Sequence, residues 1–217
     1  MSKSIFISRD LNEDDLLFAN LASAGFEVHA FSLIEIEETN FILPKLKFDW
    51  VFLASSNAAR IFLPSYSSSA KLAAVGLATA KVITDFGFEV SFTGSGGDMI
   101  EVGKRFSRQI DSQKVLFPSA EGGSKRIQSQ IREDQIIDLP IYRTIAKQDV
   151  KIPETDIVFL SSPSNAKAYI AKLNLNGKTT IAIGQTTKEF LNENGIKNVL
   201  VPPSPDPDSI LDLIFRL

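Results

Sequence analysis

The chain repeats itself, and that repeat limits what it can fold into. DWVFLASSNAARIF at 49–62 matches DIVFLSSPSNAKAY at 156–169 when one extra residue is allowed. AAVGLATAKVITDFGFEV at 73–90 matches IAIGQTTKEFLNENGIKNV at 181–199. In the second pair the glycines keep step: Gly76 and Gly87 are 11 residues apart, as are Gly184 and Gly195. Upstream of each copy a strand–helix segment ends in an extended stretch, FSLIEIE at 31–37 and LPIYRTI at 139–145. Two unrelated strand–helix–strand units would share a rhythm, but not the glycine spacing and the Ser/Asn-Ala helix starts as well. The chain therefore reads as two copies of one structural unit, near 1–112 and 113–217.

Within each copy, short apolar runs alternate with stretches of helical period. SIFIS at 4–8, 26–31, WVFLA at 50–54, 72–75 and 88–92 read as strands. Helices are expected from Asn12 or Asp14 to Ala24, over 57–62, over 78–86 and over 98–110, with Gly25 and Gly87 as stops. Val115 to Phe117 opens the same rhythm again. Continuous apolar strands alternating with helices indicate an α/β protein with mainly parallel sheets.

Composition narrows the function. With 44% apolar and 23% charged residues in 217, there is ample apolar surface for ordered cores. Basic residues number 23 and acidic 26, a net charge of −3, and no basic block suits nucleic acid or an anionic membrane. No cysteine is present, which removes disulfides, thiol nucleophiles and thiolate metal sites. A single histidine removes multi-histidine metal sites and leaves a Ser-His-Asp triad dependent on His29. No apolar run approaches a membrane span of about 18 residues, and the charged start carries no apolar signal-peptide core. The expectation is a soluble, cytoplasmic, metal-free protein.

In parallel sheets ligands bind beyond the carboxyl ends of the strands. Here those ends are Ser8-Arg9, Ser55-Ser56-Asn57, Gly76 to Thr79, Ser161 to Asn165 and Gly184 to Thr187. Each follows an apolar strand and opens a helix, where backbone N–H groups and the helix dipole favour anions. The plainer account is that these residues only cap helices. Their recurrence in register across the duplication points to a ligand cleft. TGSGG at 93–97 is a flexible loop or a phosphate cradle, without the lysine of a P-loop. EGGSKR at 121–126 sets Lys125 and Arg126 at an expected helix start after a strand ending at Phe117-Pro118, where they would either meet a carboxylate or lie in a solvated turn. Glu35, Glu37 and Glu38 read as a solvated connector, and His29 as a packed or edge residue. Tyr142 lies in the second connector, where a phenol serves a site or packing equally well.

Taken together, these residues resemble the uroporphyrinogen-III synthase family. The resemblance rests on the strand ending Ser8-Arg9, the two Asp-x-Val-Phe-Leu runs, Val-Gly-x-x-Thr-Ala and Ile-Gly-x-Thr-Thr, the Ile-Tyr-Arg-Thr connector, and the closing Pro-Pro-Ser-Pro-Asp-Pro-Asp-Ser. Ser8-Arg9-Asp10 replaces the family's usual Thr-Arg-Pro, and Ser55-Ser56 stands where Thr-Ser is common. The resemblance implies two parallel-sheet α/β domains joined by a two-stranded connector, with the active site in the cleft. One domain would join 1–32 to 147–217, the other would span 38–138, and 33–37 with 139–146 would form the connector. Periodicity alone allows sequential halves equally.

The resemblance also implies a reaction. Hydroxymethylbilane, a linear tetrapyrrole, loses its terminal hydroxyl as water and cyclises through a spiro-pyrrolenine with its last ring inverted. The pyrrole nitrogen expels the hydroxyl, and the bilane closes unaided to the uninverted isomer. The protein's task is then conformational control. Arg9, Ser55, Ser56, Thr79, Ser162, Thr186 and Thr187 would bind substrate carboxylates, and Tyr142 would donate a proton to the departing hydroxyl. No cofactor is implied. The expected partners are the linear tetrapyrrole and, transiently, the preceding pathway enzyme, with the chain a monomer. The alternatives are a non-catalytic bilobal module that reports an anionic small molecule, and a nucleotide-sugar transferase. The latter needs a carboxylate pair or basic phosphate site that does not stand out.

Overall fold

A computed structural model describes residues 3–95 and 98–217. In chain order its elements are β1 (Ser4–Ile7), α1 (Leu16–Ser23), β2 (Glu27–Ala30), β3 (Ile34–Glu38), β4 (Trp50–Leu53), α2 (Ser56–Phe62), β5 (Lys71–Ala74), α3 (Leu77–Asp85) and β6 (Val90–Thr93). There follow α4 (Met99–Ile110), β7 (Val115–Ala120), β8 (Ile136–Ala146), β9 (Ile157–Leu160), α5 (Pro163–Ile170), β10 (Thr179–Ala182), α6 (Gln185–Glu193), β11 (Val199–Leu200) and α7 (Pro207–Phe215). The chain divides into two compact units. The first joins Met1–Glu35 to Ile145–Leu217, and the second is Ile36–Thr144.

The first unit carries a five-stranded sheet in the order β11-β10-β9-β1-β2, paired in parallel throughout. Strand periodicity sends alternate residues to opposite faces. Ile5 and Ile7 pack with Leu17 of α1 and Ile210 and Ile214 of α7, while Phe6 packs with Ala166 and Tyr169 of α5 and Leu191 of α6. All four residues of β9 are buried, which is what helices on both faces require of a strand's composition.

The second unit holds a six-stranded sheet, β3-β8-β7-β4-β5-β6. On one face Val51 and Leu53 meet Ala58, Ala59 and Phe62 of α2 and Val82 and Ile83 of α3. On the other, Trp50 and Phe52 meet Val102, Phe106 and Ile110 of α4. β3 and β8 carry the chain from one unit into the other. They run in opposite directions: Thr39 donates its N–H to Ile141 at 3.0 Å, and Lys147 donates to Leu33 at 2.9 Å.

The duplication extends to strand order, because β11-β10-β9-β1-β2 and β6-β5-β4-β7-β8 follow the same path. It also corrects the gapped match of the first repeated motif. Ser55 accepts from the Ala58 N–H and Ser162 from the Asn165 N–H, each three residues on, so the two motifs align without an insertion. Phe62 and Tyr169, both fully buried, are then equivalent.

Element ends differ from expectation where side chains outside the periodic pattern decide. α1 begins at Leu16, because Asp15 caps it and accepts from the Leu17 N–H. β7 does not stop at Phe117-Pro118 but runs to Ala120, paired with β8 along its length. No α-helix opens at Lys125 and Arg126: beyond Gly122, at φ +65°, two short turns form before β8, Gln128–Gln130 and Glu133–Gln135. Of the glycine-rich 93–97 stretch, Gly96 and Gly97 lie outside the described residues. Among the described residues no helix is long and apolar enough to cross a membrane.

Candidate functional site

One pair of duplicated strand ends, those of β5 and β10, differs from the other helix starts of the fold. α1, α2, α4, α5 and α7 are each capped by a side chain, from Asp15, Ser55, Asp98, Ser162 and Asp206. α3 and α6 begin instead at Gly76 and Gly184, which have no side chain to give. Both glycines are fully extended, at φ −171° and −168°, a backbone that any residue can adopt. Their contribution is the missing cap. The N–H groups of Leu77, Ala78 and Thr79, and of Gln185, Thr186 and Thr187, accordingly receive no capping side chain. Two nine-residue helices thus present first-turn donors and a positive dipole end beyond β5 and β10. Thr79 and Thr187 occupy the same third position of these helices and are buried, whereas Thr186 is exposed.

In the second unit, Ser55 and Tyr142 come together. Ser55, after β4, holds the Ala58 N–H at 3.0 Å and lies 3.1 Å from the Tyr142 hydroxyl. Tyr142 is on β8 opposite Ala120, only 6% exposed, and its carbonyl accepts from the Glu121 N–H at 2.7 Å. Its ring belongs to the core of its own unit, with Val51, Leu53 and Leu116. Ser56, the first residue of α2, is half-buried. The next residue of β8, Arg143, makes a two-pronged pair with Glu37 at 2.9 Å for each contact. That pair holds the Glu37 carboxyl below its usual range, through the hydrogen bond first.

In the first unit, β1 and β9 are clasped at their carboxyl ends. The Ser161 N–H donates to Ser8 Oγ at 2.9 Å, and Ser161 Oγ donates to the Ser8 carbonyl at 2.6 Å. Ser162 caps α5, and Asn165 accepts the Leu33 N–H at 2.8 Å while donating to Ser162 at 3.2 Å. These polar ties between distant segments leave no trace in local periodicity. Only the serine-rich strand ends hinted at them. Arg9 is half-buried, and its Nε finds no hydrogen-bond partner among the described residues. Lys125 is exposed and engaged with Asp138 at 2.6 Å. His29 sits on the edge strand β2, 3.0 Å from Glu27.

By fold and strand-end chemistry this is an α/β protein of two mainly parallel sheets whose open helix starts suit anionic groups. A family model described as uroporphyrinogen-III synthase HemD matches residues 15–212, and the chain belongs to that family. The chloroplastic uroporphyrinogen-III synthase of rice is 24% identical over 98% of this chain and 80% of its own length. The uroporphyrinogen-III synthase of Synechococcus elongatus is 24% identical over 74% of this chain and 67% of its own. Among solved structures, uroporphyrinogen-III synthetase from Helicobacter pylori superposes with a TM-score of 0.68 at 20% identity, covering 100% of this chain and 99% of that one. A mutant uroporphyrinogen III synthase from Thermus thermophilus gives 0.63 at 14% identity, covering 99% and 98%. These two likenesses concern the fold.

Proposed function

We propose that this chain cyclises hydroxymethylbilane to uroporphyrinogen III, releasing water and inverting the terminal pyrrole. Family membership supports the reaction, and the observation that carries the site is the pair of glycine-started helices with buried Thr79 and Thr187 at matching positions. Backbone donors of this kind bind carboxylates without lysine or arginine, in keeping with a net charge of −3.

Expulsion of the hydroxyl is driven by the pyrrole nitrogen, which leaves a delocalised cation. The protein then has two tasks. Arg9, Ser55, Ser56, Ser162, Thr186 and Thr187, with Thr79, fix the acetate and propionate arms, so that the folded bilane presents its hindered ring carbon to the cation. Tyr142 shares its hydroxyl with Ser55 and donates to the oxygen that departs as water. The chain acts as a monomer in the cytoplasm, unlike the chloroplastic rice relative, and receives its unstable substrate by transient contact with the enzyme that makes it. Light scattering of the purified chain tests the monomer. The reaction is tested by following bilane consumption with and without protein: acceleration above the spontaneous rate, with type III product, supports the proposal, and the spontaneous rate refutes it.

A further inference from the structure

The two copies of the repeat have diverged in polarity at equivalent strand ends. After β9 and β10 the first unit has Ser161, Gln185 and Thr186. After β4 and β5 the second unit has, at the same positions, Ala54, Leu77 and Ala78, all three exposed. Leu77 is the extreme case at 81% exposure. These residues belong together: β4 and β5 are paired in register from Trp50↔Lys71 to Leu53↔Ala74, and the Val75 N–H donates to the Leu53 carbonyl at 3.1 Å. Leu77 and Ala78 open α3, the helix whose first-turn N–H groups receive no cap, and Ala54 directly precedes Ser55, the partner of Tyr142.

Single exposed aliphatic side chains are common on protein surfaces; what sets Leu77 apart is its place beside open backbone donors, a combination that fits a ligand with an apolar face and anionic arms. We propose that Leu77, flanked by Ala54 and Ala78, is a substrate-binding surface for the face of a pyrrole ring, and that the polar equivalent in the first unit is given over to carboxylates. This rests on the synthase reading above and adds which part of the bilane each copy takes. The duplicated ends are thereby specialised: one copy carries hydrogen-bonding side chains, and the other carries apolar ones at the same positions. Such contact gains from removing water on both sides, and is not screened by salt.

The test is steady-state turnover of hydroxymethylbilane by Leu77→Ala and by Leu77→Gln, the residue of the other copy. Phe86→Gln, at the opposite end of α3, serves as control. Contact with a ring face is made in the ground and transition states alike, so the expected change is in KM with kcat kept. Loss of three partly covered carbons should raise KM about tenfold for Leu77→Ala. The ratio of variant to wild-type KM should stay constant from low to high salt, and melting temperatures should match wild type because the side chain packs on little of the protein. Phe86→Gln should keep the wild-type KM. Wild-type KM in both Leu77 variants, from an enzyme that still makes type III product, overturns the inference and leaves the synthase reading intact. A wild-type protein that makes no type III product removes the reading and the inference together.

Discussion

Replacing Tyr142 with phenylalanine separates the chemistry proposed for its hydroxyl from the packing of its ring. The ring is 6% exposed in the core of the second unit, and phenylalanine retains all of those contacts. The hydroxyl makes one side-chain hydrogen bond, to Ser55 Oγ at 3.1 Å, and Ser55 keeps the Ala58 N–H at 3.0 Å when it is gone. The helix cap survives, so the stability cost is that of one part-buried hydrogen bond, about 1 kcal/mol. In a chain of this size that lowers the melting temperature by about 2–4 °C. General acid catalysis is worth about 10² to 10⁴ in rate. The pyrrole nitrogen provides most of the push and water can substitute as donor, so kcat should fall by roughly 10- to 100-fold, or about 1.4 to 2.7 kcal/mol of barrier. KM and the type III outcome should persist, because folding of the bilane depends on its carboxylates. The assay is initial-rate turnover on protein checked by circular dichroism, with products oxidised to porphyrins and resolved by chromatography. Wild-type kcat would remove Tyr142 from the chemistry, and a shift to type I would make it an orienting group. Ser55→Ala should cost more stability than Tyr142→Phe, since it loses the cap as well, roughly 1–2 kcal/mol.

Three further outcomes follow from the structure. Thr79→Ala and Thr187→Ala should mainly raise KM, by several-fold each, with kcat changed less; unchanged KM in both would place carboxylate binding elsewhere. Tyr169 is fully buried, its hydroxyl has no partner among the described residues, and burial, with Glu154 adding, pushes its pKa up to about 12. A raised phenol pKa contributes stability that is whole below about pH 10 and lost as pH climbs through about 12. Tyr169→Phe, which copies Phe62 of the other unit, should therefore stabilise by up to about 1 kcal/mol and flatten the alkaline decline in denaturant titrations; destabilisation would refute the orphan hydroxyl. Gly94→Ala would set a Cβ 2.3 Å from the Val75 carbonyl oxygen and 2.8 Å from a Val102 methyl, and should cost roughly 1–3 kcal/mol or more in the same titrations.

What was legible in the sequence is what repeats locally. β4 and β9 announce themselves as unbroken apolar runs because both of their faces are covered. Gly25, Gly87 and Gly195 mark turns after helices because each has φ between +83° and +86°. The parallel α/β class follows from that alternation. What was hidden depends on residues far apart in the chain. β1 pairs with its sequence neighbour β2 and also with the distant β9, a choice that hydrophobic period does not encode. Ser8 with Ser161, Asn165 with Leu33, and Arg143 with Glu37 bridge more than a hundred residues each. The expected helix at Lys125 failed because its composition fits a turn as well as a helix start, and only the β7–β8 ladder decides. Among candidate site residues, the strand-end serines and threonines were visible as a class. The contrast between capped and uncapped helix starts needed the hydrogen bonds themselves.

The most direct test of the account is the isomer composition of the product as a function of enzyme concentration. Hydroxymethylbilane, generated in situ, is divided among reactions with increasing amounts of the chain, and uroporphyrinogens I and III are quantified after oxidation. If the protein controls how the bilane folds, the type III fraction climbs from the spontaneous background, where type I dominates, to nearly all of the product. It does so in proportion to enzyme until spontaneous closure is outrun. A product that stays type I at every concentration, even with bilane consumed faster, would contradict the account.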